Sequence, residues 1–553
     1  MQACRSHPVQ TALALFNAFF SLYLLPQKGV CHVARLFEYQ SKSLLKEKGI
    51  PIPRGGVAGS PDEAVKIADE IGYPVVLKIQ AWVTGRANLG GIRFAENADE
   101  VKRIAGELLG MKVKNFTVEK ILVEEKLDIE REFFAGIIVD DAEKSPLVIF
   151  SSIGGTGIEE IAREHPESIA KSHVDPLFGF KDYHGRELAR KAGITGKLII
   201  KIGSVLSKLY NVMKSYDARS AEINPLALTK DGNVVALDCH ITVDDYAVYR
   251  HPELGIEIAR EFDRPATELE KIAYRVEEKD YRGTFYFFQM VEKVPPDGKH
   301  IGFHGAGGGG SMMSMDAVLN AGFKIANFCD TSGNPPASKV YRAAKIILSQ
   351  PNIVGYFASG SGVASQEQFH SARGFVKAFL EERPEIPAVL RLGGNFEEKA
   401  IEILHTYLKE LPAGVEGYGR DDSPDFCATR LKELVEKNGA KLHIPKPYSE
   451  YTPKEDEYSF ETITGRIYID HELCDRCETK GCVSECPKEV LKIENGRAVL
   501  NMDPEEVKKG KCTECLACEI YCQFHGAGGL HIVLPIPGLK EYRERILKEI
   551  KEG

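Results

Sequence analysis

Eight of the thirteen cysteines lie between Cys474 and Cys522. They form two runs, Cys474-x2-Cys477-x4-Cys482-x3-Cys486-Pro487 and Cys512-x2-Cys515-x2-Cys518-x3-Cys522. Disulfide frameworks belong to small secreted domains. A dense group at the end of a long chain points instead to metal in a reducing compartment. Three thiolates on one tight loop can hold three irons of a cube, and a remote fourth closes it. The second run has the spacing in which that fourth cysteine serves the other cluster. The reading is two 4Fe–4S clusters with crossed ligands. Cys474, Cys477, Cys482 and Cys522 take one, and Cys512, Cys515, Cys518 and Cys486 take the other. Zinc also uses C-x2-C pairs, but two interlocked quartets with Pro487 favour iron and sulfide. Short strands are expected on the flanks, at "GRIYID" and "NGRAVLN".

At 553 residues the chain has room for three or four domains of roughly 100–200 residues each. Its net charge of −9 gives no reason to expect nucleic acid or an anionic membrane as partner. "TALALFNAFFSLYLLP" is too short to span a bilayer, and charges interrupt every later apolar run. Residues 1–34 therefore read as a non-native or disordered extension, with translation starting near Val33, and the protein as cytoplasmic. From Leu36 to about Asp263, helices such as "PDEAVKIADEIG" alternate with buried strands such as "PVVLKIQ". A second such unit starts near Lys299. In it "HIGFHGAGGGG" reads as strand then glycine-rich loop, and "SMMSMDAVLNAG" as a helix closed by Gly322. "NIVGYFASGSG" and "PAVLRLGGN" repeat the pattern. Such alternation implies a mostly parallel sheet with its ligand side at the strand C-termini. Residues 441–462 read as a Pro- and charge-rich linker, and 536–553 as a charged helix.

Several weak signals in the first half occur in one order. Lys78 ends a buried strand and suits phosphate oxygens. Gly85-Arg86 with Gly90-Gly91 offers backbone N–H groups and a second cation. Glu124 and Glu132 suit ribose or adenine. Asn224 and Asp238, at strand ends, are hard oxygen ligands for Mg2+. Taken with "LFEYQSKSLLKEKGIPIPRGG", "HVDPLFGF", "YHGRELARKAGI" and "AEINPLALTKDGNVVALDCH", they resemble the ATP-grasp domain of succinyl-CoA synthetase β subunits and related nucleoside-diphosphate-forming acyl-CoA synthetases. The resemblance runs over about residues 35–440. It implies an ATP-grasp domain at 35–265 and a flavodoxin-like, parallel-sheet ligase domain at 296–440. The cysteine segment, 463–535, resembles a two-cluster ferredoxin, with x4 in the first run and Gln523 where proline usually follows.

By the resemblance, Lys78, Gly85, Arg86, Glu124 and Glu132 hold ATP or GTP, Asn224 and Asp238 hold Mg2+, and Glu222 sits beside a phosphohistidine. Asn88 stands where the family often has lysine. Gly360, Ser361 and Gly362, in "FASGSGVAS", occupy the loop that presents glycines and a helix N-terminus to that phosphohistidine; a plain tight β–α turn is the alternative reading. "VLRLGGN", with Arg391 and Asn395, matches a further family loop. The phosphohistidine and most of the CoA pocket belong to an α-type subunit, for which this chain shows no matching stretch. The ferredoxin-like module implies electron transfer or docking to a partner such as a 2-oxoacid oxidoreductase. An ATP-gated electron-transfer component without thioester chemistry is the alternative. The hexapeptide Phe-His-Gly-Ala-Gly-Gly occurs at 303–308 and again at 524–529. It reads as one glycine turn used twice, with His304 not expected to be the phosphoacceptor.

Overall fold

The computed structural model describes residues 33–83, 85–114, 116–155, 157–260, 264–280 and 285–552. The apolar N-terminal run lies outside them. The chain divides into two compact units, 1–265 and 266–553.

In the first unit, Ser60 accepts a hydrogen bond from the Glu63 N–H ahead of the helix Pro61–Ile71, and Asn97 accepts one from Glu100 ahead of Ala98–Leu108. Each cap satisfies a helix-end N–H for about 1 kcal/mol. Ala64, Ala68, Val101 and Ile104 of these helices share a core with Val75, Leu77 and Ile79. Those three belong to a four-stranded sheet ordered Gly55–Ala58, Ile121–Glu125, Val75–Ile79, Ile92–Ala95. A seven-stranded sheet is ordered Val33–Arg35, Cys239–Asp244, Ala218–Thr229, Ile129–Asp140, Ser145–Ser151, Ile169–His173, with Val234–Ala236 beside Ala218–Thr229. The helices Asp182–Lys191 and Leu198–Ser215 meet closely at Gly185 and Gly203. A Cβ on Gly185 would lie 2.5 Å from the Gly203 carbonyl oxygen, so no side chain fits there.

Both sheets are antiparallel, against the expectation of a mostly parallel sheet. Close neighbours such as Ile129–Asp140 and Ser145–Ser151 turn directly back on each other. Antiparallel pairing needs no crossover helix.

The second unit holds the parallel sheet. Its order is Tyr286–Gln289, Lys324–Asp330, His300–Ala306, Tyr356–Gly360, Ala388–Arg391, Val415–Tyr418, with only the first strand antiparallel. Its parallel strands follow the order 2-1-3-4-5 of flavodoxin-like sheets.

The helix Ala337–Ile347 is buried at every residue although its sequence carries Lys339, Arg342 and Lys345. A helix buried all round is usually apolar all round. Here each cation finds a partner. Lys339 pairs with Asp280. Lys345 pairs with Glu381 at 2.8 Å and Glu382 at 3.3 Å. Arg342 donates to the carbonyls of Thr464 (2.9 Å) and Pro535 (3.2 Å), which flank the cysteine segment. Lys377 reaches Glu519 at 2.7 Å. One apolar core accordingly runs from Leu269 through Phe375 to Cys518, Cys522 and Tyr542.

The stretch 441–462, expected as a linker, packs into this unit. His443 is buried and bonds the Leu348 carbonyl at 2.8 Å, and a strand, Tyr458–Glu461, begins inside it. That strand joins Arg466–Ile469 and Leu530–Val533 in a three-stranded sheet; Leu491–Glu494 and Arg497–Leu500 form a hairpin. The closing helix Leu539–Glu552 is pinned by Arg543, 1% exposed, which donates to Glu382 (2.8 Å), Ser349 Oγ (2.8 Å) and the Lys345 carbonyl (3.0 Å).

The repeated hexapeptide adopts two different structures, not one turn. The first copy continues the strand His300–Ala306 and turns at Gly307 (φ +91°) directly into the helix Gly308–Asn320. The expected glycine-rich loop shrinks to that residue, because Gly308–Gly310 form the first helical turn. The second copy ends the helix Ala517–His525 and leaves it through Gly526 and Gly528. Glycine and alanine admit both conformations, so packing decides. His304 is 2% exposed, with Nδ1 at 2.7 Å from Tyr356 Oη and Nε2 at 3.1 Å from Thr331 Oγ1. Burial pushes its pKa down to about 3. Both ring nitrogens are engaged in hydrogen bonds inside the core.

Candidate active site

In the first unit, four of the sequence-predicted residues meet in one buried cluster. Lys78, on the central strand Val75–Ile79, lies 2.8 Å from Glu124 and donates to the Leu237 carbonyl at 2.6 Å. Arg86 Nη2 lies 2.7 Å from Asp238 Oδ2. Two residues not singled out by sequence complete the cluster, Glu38 and Lys42, one turn apart in the helix Glu38–Glu47. Glu38 lies 2.8 Å from Lys42, 3.1 Å from Lys78 and 2.6 Å from Arg86. Lys42 also reaches Glu124 at 2.7 Å. The i,i+4 spacing of Glu38 and Lys42 was the available signal, but such pairs normally face solvent.

Burial opposes charge on Lys78, yet Glu38, Glu124 and Asp238 outweigh it and raise its pKa. The same balance raises Arg86, through Glu38 and Asp238. Burial also opposes charge on Glu38, but Lys78, Lys42 and Arg86 hold its pKa well below the usual carboxylate range. The Arg86 loop turns through Gly85 (φ +68°) and Gly90 (φ +71°), with Gly91 N–H donating to the Arg86 carbonyl at 2.8 Å. Asn88 is exposed on it.

Asn224 and Asp238 sit on facing segments of the large sheet, with Asn224 N–H donating to the Asp238 carbonyl at 3.2 Å. The register with Ile129–Asp140 shifts at Asn224–Pro225. Asn224 Oδ1 accepts from Gly155 N–H at 3.1 Å, and a Cβ on Gly155 would lie 2.4 Å from Glu132 Oε2. Asn224 and Glu132 therefore border one loop. Glu222 lies opposite His240 and Gly136 in the same sheet. Burial raises its pKa, the Asn224 hydrogen bond works against this, and Asp238 and Glu159 add to it.

In the second unit, Gly360 ends a parallel strand and its carbonyl accepts from Arg391 Nη1 at 2.9 Å. Gly362 has φ +78°. Asn395 donates to the Ser365 carbonyl at 2.8 Å. The next helix in the chain starts only at Phe369, so the Gly360-Ser361-Gly362 loop does not lead straight into a helix N-terminus. The helix start that meets it is that of Gly308–Asn320: a Cβ on Gly310 would lie 2.4 Å from Ser361 Cα.

None of the eight clustered cysteines is in a disulfide. Burial, with Cys522, Cys474 and Cys477 adding to it, pushes Cys482 up to about 12. Burial raises Cys518 well above the thiol range, and there the further contributors are Cys515, Cys512 and Cys486. Cys522 thus lies near Cys482 of the first run, and Cys486 near Cys518 of the second. Val490 N–H donates to Cys486 Sγ at 3.4 Å. Among the described residues no three His, Cys, Asp or Glu side chains close around a single metal ion.

Residues 35–228 match the model of the ATP-grasp domain family. The GDP-forming succinate–CoA ligase subunit beta of Thermus thermophilus is 40% identical over 369 residues, 67% of this chain and 93% of that one. The ADP-forming succinate–CoA ligase subunit beta of Methanothermobacter thermautotrophicus is 38% identical over 370 residues, with the same shares. The ATP citrate lyase of Methanothrix soehngenii, solved with citrate and coenzyme A, aligns with a TM-score of 0.60 at 20% identity. It covers 73% of this chain and 100% of its own, which is a likeness of fold. Together with the buried lysine–arginine cluster, these matches define an ATP-grasp CoA ligase. The chain belongs to the family of succinate–CoA ligase β subunits.

Proposed function

We propose that the chain is the β-type subunit of a nucleoside-diphosphate-forming acyl-CoA synthetase: acid, CoA and ATP or GTP give acyl-CoA, nucleoside diphosphate and phosphate. The observation that carries this is the meeting of Lys78, Arg86, Glu124 and Asp238 in one cluster within an ATP-grasp fold. Lys78, Arg86 and the Gly85 loop bind and orient the phosphates, and Glu124 and Glu132 accept hydrogen bonds from the ribose or adenine. Asn224 and Asp238 supply oxygen ligands of the type Mg2+ prefers. When bound, Mg2+ screens the phosphate charge. Glu222, with its raised pKa, faces the histidine of an α-type partner, which accepts the phosphoryl group and passes it to the acid. Gly360, Ser361 and Gly362 offer backbone N–H groups to that phosphohistidine. Succinate is the acid carried over from the relatives' names. The test is thioester formation from succinate, CoA and MgATP or MgGTP by the chain with its α-type partner, alongside labelling of the partner histidine. Failure of both sinks the reading.

The cysteine segment adds a ferredoxin-like module with two 4Fe–4S clusters, one held by Cys474, Cys477, Cys482 and Cys522, the other by Cys486, Cys512, Cys515 and Cys518. Its support is the nearness of Cys522 to Cys482 and of Cys486 to Cys518, none of them in a disulfide. In a cube each thiolate ligates a different iron, so four sulfurs need not converge on one point. When bound, the clusters supply one-electron transfer. The module docks or exchanges electrons with a ferredoxin-dependent partner, such as a 2-oxoacid oxidoreductase that handles the same acyl-CoA, in the cytoplasm. Among the described residues no helix is long and apolar enough to cross a membrane. Anaerobic purification with iron and sulfide analysis tests the module: eight irons per chain are expected, and an iron-free chain that keeps its fold rejects it.

A further inference from the structure

Lys78 has three N–H donors, and Glu38, Glu124 and the Leu237 carbonyl take all three. Arg86 commits three of its five N–H donors, Nη1 to Glu38 and the Ile79 carbonyl and Nη2 to Asp238. A phosphate that binds Lys78 therefore exchanges with carboxylates already there, and one that binds Arg86 meets Glu38 and Asp238 beside it. Glu38 is the one carboxylate that touches all three cations of the cluster. It is 2% exposed, in the first turn of its helix, where the positive end of the helix dipole favours an anion. Leu44 and Leu45 of that helix sit in the core and fix its position.

We propose that Glu38 is the charge-balancing residue of the nucleotide site, positioning Lys78 and Arg86 and competing with the phosphates for them. This rests on the nucleotide reading above. Lys42 sets the strength of that competition. It bonds Glu38 and Glu124, the same two carboxylates that hold Lys78, and so draws them away from it. Removing the Glu38 charge leaves an uncompensated cation that a bound phosphate neutralises. Removing the Lys42 charge frees both carboxylates to hold Lys78 harder. The two substitutions shift nucleotide affinity in opposite directions, whereas simple structural damage weakens binding in both.

The experiment is calorimetric titration of the full-length protein, together with any chain that co-purifies, with MgADP, and steady-state kinetics with varied nucleotide. Glu38→Gln is expected to bind MgADP roughly tenfold more tightly, with a lower KM and a lower kcat because product nucleotide leaves more slowly. Lys42→Gln is expected to bind roughly tenfold more weakly. Should either variant not fold, the sign of the other's shift decides. Weaker or unchanged binding in Glu38→Gln, or tighter or unchanged binding in Lys42→Gln, overturns the proposal. Lys78→Met separates the two levels. If it keeps MgADP affinity, the nucleotide reading itself fails. If it loses affinity while Glu38→Gln does not tighten, the role of Glu38 alone falls.

Discussion

Around Lys78, three cations meet three carboxylates, and every charge has an opposite within 3.1 Å. Around Cys482 and Cys518, thiols gather with like groups, which add to burial in raising these two. The first arrangement is balanced by its own side chains. The second is costly to ionise, and a cationic cluster relieves that cost. The difference teaches where each region is vulnerable: the charge cluster to loss of a single partner, the cysteine segment, on the proposed assignment, to loss of iron.

The largest expected effect is on the chemistry of the charge cluster. Lys78→Met should lower kcat/KM for thioester formation by about 10³-fold while leaving iron content unchanged; parallel loss of iron would break the separation between the regions. Iron removal should do the reverse. Chelation under reductant should destabilise 266–553 by several kcal/mol and leave 1–265 untouched. The single tryptophan, Trp82, lies in the first unit, so its fluorescence melt reports that unit alone and hydrogen exchange reads the other. Equal shifts in both readouts would contradict the comparison.

Arg543→Ala leaves Glu382 buried and short of a partner, and should cost about 3–5 kcal/mol in the second unit only. The smallest effect is acid sensitivity. Burial lowers His304 to about 3 and His443 to about 4, from an unfolded value of 6.5. Their stabilisation is whole above pH 6.5 and is lost as pH falls toward those values, by about 2 kcal/mol per histidine at pH 5. His240 in the first unit is also lowered by burial, but by a smaller shift. Glu38, depressed in the fold, contributes stability above pH 4.5 that is lost only below it. Hydrogen exchange at pH 5 should therefore rise in 266–553 more than in 1–265.

The proposed cysteine grouping could be drawn from sequence because each quartet would take three ligands from one short run, where spacing alone limits geometry. The charge cluster was not legible in that way. Its members run from Glu38 to Asp238, each is a weak signal alone, and the resemblance joined the four that were named. Glu38 and Lys42 look like an exposed helical pair until the sheet closes over them. Lys339, Arg342 and Lys345 mislead likewise, since a cationic helix stripe normally marks solvent. Here Arg342 bonds carbonyls that flank the cysteine segment. The hexapeptide failed as a guide because glycine carries no instruction about packing.

Cys518 and Cys522 share their core with Phe375 and Phe379, on the helix that follows the loop carrying Gly360, Ser361 and Gly362. A cluster lost to oxygen would therefore be felt as loosening in the ligase half of the same body. On the proposed cluster assignment, exposure to air becomes a folding problem as much as a redox one.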